Sequence, residues 1–229
     1  MGLFAISDLH LSGAVNKPMD IFGQNWAGHT EKITENWKRE ITDGDVVLIP
    51  GDISWGMSLD EAMPDLELIE SLPGKKVLMS GNHDYWWTSV SKLNSMFKTV
   101  TFVKNTFFEY GNMAVCGTRG WVCPNDSAFT KHDEKIYTRE LLRLRLSLDG
   151  AVRAGYKDIM CMMHYPPAND KKEASGFTEI FEEYGIKDVI YGHLHGKYSF
   201  PTGISGEMNG VNYKLVSADY LDFKPLRLK

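Results

Sequence analysis

The chain has 229 residues, of which 43% are hydrophobic and 24% charged, and its formal net charge is -5 at pH 7. This length suits one α/β domain with a substantial core, and the composition is that of an ordinary globular protein. The negative charge argues against a general nucleic-acid-binding surface, because such surfaces are basic. It leaves room for an acidic pocket whose charge would be offset by divalent cations.

The sequence shows no recognisable targeting or membrane segment. The apolar start GLFAIS is too short for a signal-peptide core, and no run approaches the roughly eighteen apolar residues of a membrane span. The three cysteines, Cys116, Cys123 and Cys161, form no Cys-x-x-Cys pair, which favours reduced thiols. We therefore expect a soluble cytoplasmic protein that does not bind membranes.

Apolar runs alternate with amphipathic stretches along the chain, a pattern typical of an α/β sheet protein. In chain order the pattern predicts strands over 2–7, 45–49, 75–79, 100–103, 107–110, 113–117, 158–163, 187–191 and 211–217. It predicts helices over 30–42, 58–71, 88–97, 134–154 and 176–185.

Two stretches, 11–29 and 118–133, lack clear periodicity and are rich in Gly, Pro, Asn and Asp. Loops of this length are usually functional or disordered, so both are candidate lid segments. No repeat, low-complexity tract or linker divides the chain, which predicts a single domain over 1–229.

Five of the apolar runs end in polar groups that a hydrophobic core does not need. These groups are Asp8-Leu9-His10, Gly51-Asp52, Gly81-Asn82-His83-Asp84, His164 and Gly192-His193-Leu194-His195. In α/β folds binding sites gather at the carboxyl ends of the strands, so we expect these side chains to converge. The glycines precede candidate ligands, where the lack of a Cβ permits a sharp turn and a close approach of the backbone.

The side chains at these strand ends offer carboxylate, amide and imidazole groups and no thiolate. Such donors suit Mn, Fe, Zn or similar divalent ions rather than an all-thiolate structural zinc site. Asp8 and His10 are two residues apart, as are His193 and His195, so each pair shares one face of an extended segment. The set is too large for one ion. Two ions about 3.5–4 Å apart can clamp the attacking and leaving oxygens of a displacement at phosphorus.

Each motif taken alone has a simpler interpretation. Asp-x-His and Gly-Asp after a strand are common in turns and helix caps, and His164 could be an ordinary hydrogen-bonded histidine. Five such motifs in order, each at the end of an apolar run, favour a metal site over independent turns.

As a set, the motifs resemble the signature of the calcineurin-like metallophosphoesterases, and they extend from residue 8 to residue 195. The resemblance implies an α/β fold, an αββα sandwich of two mixed sheets flanked by helices, with two divalent metal ions, of which Mn is favoured. It implies one ion held by Asp8, His10, Asp52 and His195, and a second held by Asp52, Asn82, His164 and His193. The interval between His10 and Asp52 is longer than in compact members, which suggests an insertion within 11–29.

The resemblance also implies a mechanism. A hydroxide shared by the two ions would attack phosphorus in line, without a covalent phosphoenzyme. His83 would protonate the leaving oxygen or stabilise developing charge. Asp84 would orient the His83 ring, with capping of the following helix equally open. Arg119 is a candidate ligand of a substrate phosphate, against the alternative of an ordinary surface arginine.

We therefore expect a metal-dependent phosphohydrolase acting on a small phosphoester. One alternative is a phosphodiesterase or nuclease acting on nucleotides or nucleic acid, although the acidic balance disfavours long nucleic acid. Another is a non-catalytic scaffold with the same fold, which the presence of His83 and of every expected ligand disfavours. The sequence makes no prediction of the oligomeric state. The tryptophans near these motifs are interpreted as packing residues or as a stacking wall for substrate.

Overall fold

The structure is a computed structural model that describes residues 1–124 and 129–229. The candidate lid segment 118–133 therefore lies partly outside the described residues, at 125–128. The described chain forms two compact units, one of Met1–Phe102 with Val216–Lys229 and one of Val103–Leu215.

The described residues form short strands and helices that alternate along most of the chain. The strands are β1 (Leu3–Ala5), β2 (Val46–Pro50), β3 (Lys75–Met79), β4 (Val100–Phe102), β5 (Phe108–Tyr110), β6 (Met113–Thr118), β7 (Asp158–Met163), β8 (Asp188–Tyr191), β9 (Gly206–Met208), β10 (Val211–Leu215) and β11 (Leu226–Arg227). The α-helices are α1 (His29–Glu40), α2 (Leu59–Ser71), α3 (Val90–Asn94), α4 (Lys131–Arg153) and α5 (Gly176–Glu183).

The first unit contains a sheet in the order β11-β1-β2-β3-β4. β1, β2, β3 and β4 run parallel, and β11 is an antiparallel edge strand beside β1. Helices α1 and α2 bury Trp37 and Leu66 in the same core as Val47 of β2. Because the four strands are parallel, the loops after them that carry the candidate ligands leave from the same edge of this sheet.

The second unit contains a sheet in the order β5-β6-β7-β8-β10-β9. β6, β7, β8 and β10 run parallel, and β5 and β9 are antiparallel edges. Helix α4 packs its apolar stripe, including Leu144 and Leu148, into the core of this sheet together with Phe181 of α5. The predicted fold class, α/β with two mixed sheets flanked by helices, is confirmed.

The starts of α2 and α4 are fixed by side-chain caps. Ser58 and Glu61 form a capping box at the start of α2, and Thr130 and Asp133 form one at the start of α4. Such caps satisfy backbone N–H groups that the first turn leaves without partners. Among the described residues, no helix has both the length and the apolar composition needed to span a bilayer.

The predicted elements differ from the structure mainly at edges. β9 and β11 were not predicted, because strands of two or three residues carry no periodicity and are defined only by pairing with β10 and β1. The segment 88–97, predicted as a helix, forms only the short α3, which begins after Ser89, whose hydroxyl accepts the Lys92 N–H, and ends at Asn94. The segment 11–29 is not purely irregular, since it contains two 3₁₀ turns that bury Met19 and Trp26.

Candidate metal centre

In the first unit, the loops after β1 and β2 are joined by backbone hydrogen bonds. The N–H of Asp8 donates to the carbonyl of Gly51 at 2.9 Å, and the N–H of His10 donates to that of Asp52 at 3.0 Å. Asp8 and His10 are both buried, and their side chains offer ligand atoms within 4.8 Å of one another. The hydroxyl of Ser7 donates to the Asp8 carboxylate. These bonds place a carboxylate and an imidazole side by side at the end of β1.

Three of these ligand candidates have a left-handed backbone. The φ angles are 57° at Asp8, 45° at His10 and 52° at Asp52. Non-glycine residues are uncommon there, although Asn, Asp and His adopt it more often than most, and such conformations cluster at functional sites. At Gly81, a Cβ would lie 2.1 Å from Asp52 Oδ1, so the close approach expected at this glycine is confirmed.

The carboxylate of Asp52 is buried and in contact with two other candidate residues. Its Oδ1 accepts the backbone N–H of His83 at 2.9 Å. Its Oδ2 lies 3.8 Å from His10 Nε2, which is longer than a hydrogen bond. Two ligands with metal bonds of roughly 2.0–2.2 Å can span such a separation on one ion. The arrangement therefore fits a metal between His10 and Asp52.

Asp84 is a buried carboxylate that accepts five N–H groups. Its Oδ2 accepts from Asp52 at 2.9 Å and from Gly81 at 2.7 Å. Its Oδ1 accepts from Ile53 at 2.9 Å, from Ser54 at 3.3 Å and from the indole of Trp86 at 3.1 Å. Asp84 therefore fixes the backbone of the loop that carries Asp52 against the turn at Gly81.

The ring of His83 is half-buried and lies among aromatic groups. Its centre is 4.5 Å from the Trp55 ring and 5.8 Å from the His10 ring. Trp55 in turn stacks on His10 at 4.7 Å. Trp86 and Trp87 instead pack near Phe102, at 6.3 and 5.2 Å between ring centres. Of these three tryptophans, Trp55 is the one whose ring lies against candidate site histidines.

His29 supports the first unit's site and was not predicted to do so. The sequence placed it in an irregular stretch, whereas it begins α1 and is buried. Its Nε2 lies 3.1 Å from the carbonyl oxygen of His10. Burial lowers the pKa of His29 below its ordinary value. In the sequence, the large apolar residue Trp26 three positions earlier was the feature that could have indicated that His29 is buried.

In the second unit, the ends of β7 and β8 bring two imidazoles together. His193 Nδ1 lies 3.3 Å from His164 Nε2, and the Tyr165 ring lies 4.1 Å from the His193 ring. The N–H of Gly192 donates to the carbonyl of His164 at 3.1 Å. His193 also has a left-handed backbone, with φ of 72°, and the partly buried His195 follows two residues later.

Arg119 follows β6 in the same unit. Its carbonyl accepts the N–H of His164 at 3.2 Å and that of Tyr165 at 2.9 Å, and its guanidinium points to Glu140. Its backbone therefore helps to fix the segment that carries His164.

The chemistry of the donors fits divalent ions in both units. The first unit supplies Asp8, His10, Asp52 and the amide of the half-buried Asn82, and the second supplies imidazoles. Cys116 and Cys161 are held as neutral thiols, because burial raises the pKa of Cys116 to about 12 and that of Cys161 well above its ordinary value. Oxygen and imidazole donors without sulfur suit Mn, Fe or Zn.

The family model described as calcineurin-like phosphoesterase matches residues 1–197, most of the chain. The chain belongs to this family. Membership and the candidate ligands together support a metal-dependent phosphoesterase that hydrolyses phosphoester bonds. The family typically binds two divalent metals.

Individual relatives are distant. The chain is 25% identical to the Gene 66 protein of Mycobacterium phage D29 over 198 residues, 83% of this chain and 77% of that protein. The structure is similar to that of phosphopantetheinyl hydrolase (PptH) from Mycobacterium tuberculosis, with a TM-score of 0.61 and 14% identity, covering 99% of this chain and 95% of that one. It is also similar to AQ665 from Aquifex aeolicus, a protein of unknown function, with a TM-score of 0.53, 17% identity and coverage of 99% and 95%. At these identities the similar structures show the fold alone.

Proposed function

We propose that this protein is a phosphohydrolase that acts on a small phosphoester with two divalent ions, Mn²⁺ being favoured. The proposed ligands of one ion are Asp8, His10, Asp52 and His195, and those of the other are Asp52, Asn82, His164 and His193. The observation that carries the proposal is the grouping of buried donors in the first unit: Asp8 and His10 offer ligand atoms within 4.8 Å of one another, and Asp52 Oδ2 lies 3.8 Å from His10 Nε2. Bound divalent ions would supply Lewis-acid activation of water and neutralise charge on phosphoryl oxygens.

His83 is the proposed general acid. Its backbone N–H is fixed by Asp52 at 2.9 Å, so its ring leaves the loop beside a proposed ligand. The ring is only half-buried and therefore open to a substrate oxygen. In this role His83 donates a proton to the leaving oxygen, and Asp84 keeps the loop of Asp52 in place.

The proposal is tested by assaying the Mn²⁺-loaded protein on an aryl phosphomonoester and on a bis-aryl phosphodiester. We expect metal-dependent release of the phenol from the monoester. A marked preference for the diester would instead favour the phosphodiesterase alternative. A small substrate and a cytoplasmic place of action remain part of this proposal, and long nucleic acid is not expected as a substrate.

The control is Asp52→Asn, which removes the proposed bridging carboxylate while keeping its size. We expect this variant to bind less metal by elemental analysis and to lose turnover. Metal-loaded wild-type protein that hydrolyses neither substrate would contradict the proposal and favour a non-catalytic scaffold.

A further inference from the structure

A buried carboxylate in the second unit is surrounded by cationic side chains. Glu140 of α4 is 1% exposed and accepts a hydrogen bond from Thr118 at 2.6 Å. Arg143 Nη1 lies 2.6 Å from its Oε1, while Arg119 Nη2 and Arg139 Nε lie at 3.8 and 3.9 Å. One close ion pair and two distant ones leave most of the arginine donors unused by this carboxylate.

The cluster carries more positive than negative charge. Lys104 is affected by the same charges: burial lowers its pKa, and the positive charge of Arg143 lowers that pKa further. Three arginines beside the single carboxylate of Glu140 leave an excess of two positive charges within this group. Mutual repulsion of these cations is relieved when an anion binds among them.

Arg119 has hydrogen-bond donors that Glu140 does not use. Its Nε is buried and has no hydrogen-bond acceptor within the part of the chain that the structure describes. Its Nη2 is too far from Glu140 for a hydrogen bond. The guanidinium carbon lies 4.9 Å from the centre of the Trp121 ring, and the side chain is 25% exposed. A guanidinium that stacks on an indole and lies beyond hydrogen-bond distance of its carboxylate keeps Nη donors of the kind that bind phosphate.

The cluster is connected to the candidate ligands of its own unit. The Trp121 ring lies 5.1 Å from that of Tyr165, which lies 4.1 Å from that of His193. The indole N–H of Trp121 donates to Asp133 of α4 at 2.9 Å, which fixes this row of rings. The rings of Trp121 and Tyr165 therefore form a continuous row of contacts between an anion bound at Arg119 and His193.

We propose that Arg119, Arg139 and Arg143, arranged around Glu140, form an arginine cluster that binds a second phosphate group of the substrate. The preferred substrate is then a phosphoester that carries a further phosphate. The inference about the substrate rests on the proposed phosphohydrolase function, whereas phosphate binding at the cluster does not require catalysis.

Phosphate binding is tested by calorimetric titration of pyrophosphate into the full chain after metal has been removed with a chelator. We expect Arg119→Ala to weaken binding about ten- to hundredfold, because a charged bidentate contact is lost. Arg119→Lys keeps the positive charge but loses the planar guanidinium, so its affinity for pyrophosphate should lie between those of wild type and Arg119→Ala. Arg153→Ala removes an exposed arginine from the same helix as Glu140 and is the charge-matched control, expected to bind as wild type does. Equal binding by wild type and Arg119→Ala would overturn the cluster.

The role in catalysis is tested with an alkanediol bisphosphate and the matching alkyl monophosphate, using metal-loaded protein. We expect a higher kcat/KM for the bisphosphate, and Arg119→Ala should lower the ratio of the two values by about tenfold. A ratio unchanged by Arg119→Ala would overturn the inference while leaving the phosphohydrolase intact. Arg119-dependent pyrophosphate binding without hydrolysis of any ester would contradict the phosphohydrolase and retain the anion site.

Discussion

His83 and Asp84 are adjacent in the chain and differ in what holds them. The backbone of His83 is bound to Asp52, and its ring lies half-exposed beside Trp55. The Asp84 carboxylate is buried and already accepts five N–H groups. A group that is to transfer a proton must reach solvent and substrate, whereas a group that organises a loop need not. Substitution of His83 is therefore expected to affect turnover, and substitution of Asp84 is expected to affect stability and metal affinity.

His83→Ala should leave metal content unchanged and lower kcat by about 10²–10⁴-fold, the usual contribution of a general acid. Elemental analysis beside steady-state kinetics checks both parts. His132→Ala, which removes an exposed histidine at the start of α4, is the matched control. Unchanged turnover in His83→Ala would remove His83 from the mechanism.

Asp84→Asn should lower the free energy of unfolding by about 2–4 kcal/mol, because the new amide N–H₂ faces N–H groups that need an acceptor. Metal affinity should fall with it, since the loop of Asp52 loses its anchor. Denaturant unfolding and metal titration measure the two effects, with the exposed Asp60→Asn as control. A change in the pH profile of kcat alone, with stability and metal affinity intact, would instead indicate that Asp84 acts through the His83 ring.

The ligand candidates could be selected from the sequence because each follows an apolar run, a pattern visible without knowledge of the fold, and their binding of metal stays a prediction. The sequence could not predict the partners of Asp84. Ile53 and Ser54 lie some thirty residues away in the chain, at sequence separations of 31 and 30, and meet Asp84 only after β2 and β3 have paired. The burial of His29 could not be predicted for the same reason, because it depends on tertiary packing against Trp26 and Phe223.

At the scale of secondary structure, the elements that were predicted are those that bury a repeated apolar pattern. β2, β3 and β7 match their predicted bounds within one residue, because buried parallel strands read as continuous apolar runs. β9 and β11 carry no such run and exist through edge pairing alone. Periodicity therefore defined the parallel centre of each sheet and the antiparallel edge strand β5, but not the edge strands β9 and β11.

The turn before β2 provides a pH-dependent test. Asp45 accepts N–H groups from Gly2 and Thr42 and the Thr42 hydroxyl. The Gly2 N–H is the leading cause that lowers its pKa from 3.8 to about 2. The folded state thus favours the charged form, so this stabilisation is present above about pH 4 and is lost as the pH falls through about 2.

Asp45→Asn should therefore be less stable than wild type at neutral pH, by about 1–2 kcal/mol from the hydrogen bonds weakened. The difference should shrink as the pH is lowered from about 5 towards 2. Denaturant unfolding of both proteins across this range measures it, and Asp43→Asn, an exposed neighbour, is the control. A difference that is constant with pH would show that the charge of Asp45 is not what stabilises the turn.

At the scale of the whole molecule, the fold class followed from the alternation of elements and from a signature spread over most of the chain. The substrate could not be predicted from the sequence, because specificity depends on loops and side-chain clusters that have no periodic pattern. The arginine cluster is an example: Arg119 and Glu140 are 21 positions apart in the numbering and are brought together by the packing of α4 against β6.

Metal binding should be visible in global stability. A ligand that binds only the folded chain stabilises it by about 2.7 kcal/mol at a hundredfold excess over its Kd. Adding Mn²⁺ to chelator-treated protein should therefore raise the melting temperature by several degrees, and Asp8→Asn should reduce this rise while His132→Ala should not. The same rise in Asp8→Asn as in wild type would mean that the ions bind elsewhere.

The left-handed backbone at Asp8, His10, Asp52 and His193 also bears on how this protein can be engineered. Glycine adopts this conformation without strain, so replacement at these four positions would relieve backbone energy while deleting a donor each time. A library selected for heat resistance alone would thus accumulate glycine where the chemistry is proposed to occur. Thermostable descendants of this chain should be screened for metal retention before they are screened for turnover.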